Sequence, residues 1–289
     1  MAGGSVSALT RWWFAPVPRA RIAVLRRLAY LFVFVDVLLT TSWIGSHNRT
    51  PLSLYQPLLI GRLLDLPTPT SAFVDGVKVA LLVAAGLGLL GRAPRLLGWL
   101  VFGLYLEWMV IGFSYGKVDH DRLSFLVLLA VLAICGPATL RDQEPDDGAG
   151  WAVRCIQVAC VFTYFLAALA KLRFGGIAWL DSATLLRAVI RRGTSIGDVL
   201  ADNPRTLHVG QYALVAAELA SPALLVRGRI GRTALLIAAA FHAAVFLTIR
   251  IIFLPHLVAM AAFLPLERLR YAGRRPSAAP EVRTSSQVM

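Results

Sequence analysis

Trp151-Ala-Val-Arg-Cys-Ile-Gln-Val-Ala-Cys-Val-Phe-Thr-Tyr-Phe-Leu-Ala-Ala-Leu-Ala-Lys171-Leu172 decides the fold class. An apolar run of about twenty residues is long enough to cross the hydrocarbon core as a helix. An ammonium inside such a run costs roughly 2.5–3.5 kcal/mol at the helix centre on insertion scales, which makes Lys171 a functional candidate by position alone. A desolvated lysine can also serve as a general base.

The rest of the chain repeats the pattern. Of 289 residues, 57% are hydrophobic and 16% charged, and the mean hydropathy is +0.68; soluble domains carry about 25% charged residues. Apolar runs fall at roughly 22–43, 72–91, 95–114, 122–138, 151–172, 209–227, 231–249 and 251–266. The expectation is an all-α integral membrane protein, a bundle of about eight transmembrane helices. Arg250 splits the last long run and Pro255 marks a break, while Pro94 suits the first turn of a helix. The first apolar run is long and has no small-residue cleavage site, so it reads as a retained helix.

The net charge of +13 does not indicate nucleic-acid binding. The arginines flank apolar runs, where they set topology and meet lipid headgroups. The cluster Arg11, Arg19, Arg21, Arg26 and Arg27 places the N-terminus inside, and alternation puts both termini in the cytoplasm, with the Lys171 end of its helix outside. Residues 1–20 then form a cytoplasmic N-terminal segment, 21–268 the membrane domain and 269–289 a disordered, Arg/Pro/Ser-rich cytoplasmic tail. The scarcity of lysine beside abundant arginine and alanine fits a GC-rich bacterial genome, hence a plasma (inner) membrane. Cys135, Cys155 and Cys160 lie within apolar runs without C-x-x-C spacing and read as core residues. No metal site is expected.

An outer stretch, 173–208, runs against the charge pattern. Within it Ala183-Thr-Leu-Leu-Arg-Ala-Val-Ile-Arg-Arg192 reads as a short outer amphipathic helix. It can lie flat at the interface, cap a cavity or bind an anion.

Asp36, Glu107 and Glu218 fall inside apolar runs and need partners there; Lys171 and Arg26 are the candidates. Tyr115-Gly-Lys-Val-Asp-His120-Asp-Arg122 joins two spans on the outer side and is densely titratable, with Asp121 placed as an N-cap for the next helix. His242 and His256 lie in the last two runs, where a lone histidine is often hydrogen-bonded to a neighbouring helix.

Several segments together resemble one family. Arg21-Ile-Ala-Val-Leu-Arg26 leading to Asp36, Gly116-Lys-Val-Asp-His120, Tyr164-Phe-Leu-Ala-Ala-Leu-Ala-Lys171-Leu172 with Trp179-Leu180, and Phe241-His242 followed by Phe253-Leu-Pro-His256 through Pro265 resemble, in order and spacing, the HTTM domain. That domain is the membrane part of vitamin K-dependent gamma-carboxylase and its bacterial relatives. The resemblance spans about residues 20–268 and omits the carboxylase's extramembrane, substrate-holding domain; Ala170-Lys171 stands where the carboxylase has paired lysines.

What the resemblance implies is a quinone-dependent carboxylase or epoxidase-like enzyme, a gamma-glutamyl carboxylase-like lyase. Lys171 would be the base toward a reduced quinone (vitamin K hydroquinone or menaquinol), His120 and His242 would position or relay the proton, and Tyr164, Trp179 and His256 would hold the cofactor. A peptide would be the substrate and membrane lipids the surroundings. The alternative is a non-enzymatic membrane protein that binds a lipid or quinone, or assists peptide maturation or export. A carboxylate within salt-bridge reach of Lys171 favours this structural reading, and an open polar pocket favours chemistry. A small transporter is a third option.

Overall fold

The structure is a computed structural model that describes residues 7–268. The expected tail, 269–289, lies outside the described residues. Helix accounts for 78% of the structure, and the sheet is a two-residue antiparallel pairing of Val17–Pro18 with Pro145–Asp146. The fold is all-α.

The helices in chain order are α1 (Ala8–Trp13), α2 (Arg19–Val35), α3 (Leu59–Leu63), α4 (Ser71–Leu89), α5 (Pro94–Phe113), α6 (Leu123–Ile134) and α7 (Asp147–Ala170). They continue with α8 (Gly176–Asp181), α9 (Thr184–Arg192), α10 (Ser195–Ala201), α11 (Pro204–Leu219), α12 (Arg229–Ile249) and α13 (Leu254–Met260). Among the described residues four segments are long and apolar enough to cross a membrane: α4, α5, the continuous run Asp147–Asp181 and α12. The other four apolar runs form α2, α6, α11 and α13, with 17, 12, 16 and 7 residues of regular helix.

Local chemistry explains the boundaries. Pro94 opens α5 at its first turn, where its missing N–H is not needed. Arg250 closes α12 in the left-handed region at φ 51°, and Pro255 sits in the first turn of α13, so the last apolar run breaks where the sequence suggests. Helices α2, α4, α5, α6, α7 and α13 contribute the main core. Small residues let them approach: a Cβ on Gly98 of α5 would lie 2.7 Å from the Ala133 backbone of α6.

The face of α12 behaves differently. Only Ala238, His242 and Ile249 of this long apolar helix are buried. Such an unburied apolar surface fits hydrocarbon surroundings rather than water.

The amphipathic helix predicted over 183–192 appears as α9. Its Val189 is buried in a small core with Leu207 and Ile249, while Arg187, Arg191 and Arg192 are exposed. It packs on α10, α11 and α12 as part of the folded body.

Candidate functional site

Asp36 and Lys171 each open a π-helical turn, Asp36–Thr40 after α2 and Lys171–Gly175 after α7. A π turn adds a residue to the helical circuit and recurs at functional sites. Hydropathy carries no signal for it.

Asp36 is fully buried, and its partner is neither Lys171 nor Arg26. Arg122 donates from Nη1 to Asp36 Oδ2 at 2.5 Å, Tyr105 donates its hydroxyl to the same oxygen at 2.9 Å, and Arg122 Nη1 also reaches the Tyr105 oxygen at 2.8 Å. Thr40 donates to the second carboxylate oxygen, and Trp108 donates to Thr41 at 3.0 Å. The network ties the end of α2 to α5 and to the His120–Arg122 turn. Arg26 instead donates to the carbonyls of Leu132 at 2.9 Å and Gly136 at 2.5 Å, which satisfies the free C-terminal end of α6.

Lys171 is paired as well. Its Nζ lies 2.7 Å and 2.8 Å from the two oxygens of Glu218 on α11, and 5.7 Å from the centre of the Trp179 ring. Glu218 is buried. This geometry favours a structural ion pair over a free base.

The histidines form the polar centre. His120, Asp121, Tyr164, Glu218, His242 and His256 line one cavity of about 30 Å³, with Phe241 and Phe253 among its apolar walls. Lys171 and Trp179 are not on this lining; Lys171 reaches the cavity through Glu218. Tyr164 bridges the helices: its hydroxyl is 2.6 Å from His242 Nε2 and 3.1 Å from Met260 Sδ. A thioether only accepts, so with both bonds formed the hydroxyl donates to sulfur and accepts from His242 Nε2–H. Neutral His242 then presents a bare Nδ1 acceptor. His256 Nδ1 meets Ser124 Oγ at 2.9 Å. His242 Nδ1 and His256 Nε2 are buried with no hydrogen-bond partner among the described residues, an arrangement that needs explanation in a folded interior.

Asp121 does not serve as the N-cap that its place before α6 suggests. The cap position of α6 is Arg122, with no side-chain cap bond. Asp121 is 8% exposed, and burial pushes its carboxyl up to about 6, with Arg122 opposing and Asp119 and Asp36 adding to the rise. Nothing in the spacing distinguishes a capping aspartate from one turned into a cavity.

A second, larger space adjoins the first. An apolar groove of about 580 Å³ runs between α11, the Ser221–Leu225 turn and α12, with Tyr164, Glu218 and Phe241 among its walls. On α12 its lining extends from Arg229 to Phe241, about 18 Å at the helical rise of 1.5 Å per residue. The volume lies within the roughly 300–1,000 Å³ of small-molecule sites. Glu107, the third carboxylate within an apolar run, lies on α5 and lines neither space. Among the described residues no group of three His, Cys, Asp or Glu side chains could hold a metal ion.

No family model, curated protein or solved structure matches the chain.

Proposed function

We propose that the chain is an HTTM-type protein of a bacterial inner membrane, a bundle of about eight spans with cytoplasmic termini, that binds a quinone-like or lipid-like amphiphile. The apolar tail occupies the groove between α11 and α12, and the polar end meets the histidine cavity. One observation carries this reading: Tyr164, Glu218 and Phe241 are walls of both the apolar groove and the histidine cavity. A long apolar slot that shares polar walls with a histidine-lined cavity suits an amphiphile.

Binding without chemistry is the reading favoured by Lys171, whose ammonium is paired with both oxygens of Glu218. A carboxylase-like oxidation of a reduced quinone is the second reading. The unpartnered His242 and His256 nitrogens favour it, since they supply proton-handling groups next to the groove. A gamma-glutamyl peptide as its substrate belongs to that second reading.

The test uses the full chain in lipid nanodiscs. Saturable binding of menaquinone or menaquinol is expected, and its absence contradicts the ligand reading. Menaquinol oxidation by the wild type and its loss in Lys171→Ala would select the enzyme with a lysine base; turnover equal in both would remove Lys171 as the base.

A further inference from the structure

Three carboxylates lie at the polar centre or beside it, and two of them are paired. Asp36 is held by Arg122 and Tyr105, and Glu218 by Lys171. Asp121 is different. It is 8% exposed, lines the histidine cavity, and has no side-chain hydrogen bond or ion pair with another residue among the described residues.

The cavity's size limits what it can hold. About 30 Å³ has room for a small polar group of water's size and not for a ring. Its walls offer complementary groups. His242 Nδ1 is an acceptor in the tautomer that Tyr164 and Met260 select, and a protonated carboxyl is a donor. A hydroxyl both donates and accepts.

We propose that Asp121 is a ligand-binding residue: its protonated carboxyl donates to a single hydroxyl group of the ligand, whose own proton points to His242 Nδ1. This rests on the reading that a ligand's polar end enters the cavity, and it names the chemistry of that end, a hydroxyl on an apolar chain or ring.

On its own turn Asp121 has His120, Arg122 and Asp119 as neighbours, and Asp36 stands behind Arg122. Across the cavity it faces Tyr164, Glu218 with its lysine, His242 and His256. Burial outweighs the opposing Arg122, so the carboxyl keeps its proton up to about pH 6. Above that pH Asp121 becomes an acceptor facing a hydroxyl whose proton is already engaged, and the ligand loses its donor.

The experiment measures affinity from pH 5 to 7.5 for the full chain in nanodiscs with two probes: a one-isoprene menaquinol and farnesol, a hydroxyl on an apolar chain. Wild-type affinity is expected to fall about tenfold per pH unit above the midpoint, as one linked proton requires. Asp121→Asn, which keeps a donor at every pH, should bind with a flat profile. Asp121→Ala should bind at least tenfold more weakly at pH 5. A wild-type profile that survives in Asp121→Asn, or an affinity that rises with pH, overturns the assignment. Farnesol binding with the Asp121-dependent profile, without menaquinol binding, supports the assignment and removes the quinone reading. Binding of neither probe overturns both.

Discussion

Lys171 Nζ stands 2.7 and 2.8 Å from the two carboxylate oxygens of Glu218, a pair formed between the end of α7 and α11. The same carboxylate is a wall of the groove and of the histidine cavity. The pair therefore sets the position of the wall that the two spaces share.

Removing one partner should cost more than removing both. Lys171→Ala leaves a buried carboxylate alone. Fully buried pairs lose roughly 3–5 kcal/mol on such a change; with the Lys171 side chain 23% exposed, about 2 kcal/mol is expected. The double change Lys171→Met, Glu218→Leu should recover most of it. Thermal unfolding of the three variants in detergent checks this, and equal stability of wild type and Lys171→Ala would mean the pair is not formed.

The Asp36–Arg122 pair is more deeply buried, with side-chain exposures of 0% and 10%. Arg122→Met should destabilise by about 3–5 kcal/mol. A double-mutant cycle with Asp36→Asn should give a coupling energy of at least about 1 kcal/mol. Additive losses would show that the two side chains act independently.

Glu267 gives a pH signature at the other end of the bundle. Burial pushes its carboxyl up, but both oxygens accept from Arg21 at 2.7 Å, and this with its own backbone N–H brings it below its ordinary 4.5. A depressed carboxyl stabilises the fold above its unfolded value and loses that contribution as pH falls through the folded one. Wild type should therefore be more stable than Glu267→Gln above about pH 4.5, and the two melting curves should converge below it.

Filling the groove should act on binding without touching the ion pairs. Ala217 and Ala234 line opposite walls. Ala234→Phe places a ring where the tail is proposed to lie and should weaken menaquinone binding at least tenfold. Its melting temperature should stay near wild type. Unchanged affinity would place the tail elsewhere.

Much of the helical scheme was legible because it follows from local rules. Hydropathy located the runs that became α4, α5, α7 and α12. Pro94 and Arg250 marked ends whose backbone chemistry is set by the residues themselves. The shorter runs are helical too, but run length could not show that α6 keeps only 12 regular residues. The partners were harder to read. Lys171 finds Glu218, 47 residues on, and Asp36 finds Arg122, 86 residues on. Such pairings are fixed by how the helices pack, not by spacing. Asp121 was hidden by its resemblance to an N-cap. Tyr164, His242 and His256 do converge, and the Tyr164 hydroxyl that links His242 to Met260 Sδ is placed by tertiary contact alone.

One amphiphile is proposed to occupy both the groove and the histidine cavity, and photo-crosslinking can locate it. The full chain in nanodiscs is labelled with a menaquinone analogue carrying a photoreactive tail, and the attachment sites are mapped by mass spectrometry. Saturable labelling is expected on the groove faces of α11 and α12, competed by unlabelled menaquinone and reduced in Ala234→Phe. Labelling spread over the outward surfaces of α4 and α5, with no competition, would contradict the proposal.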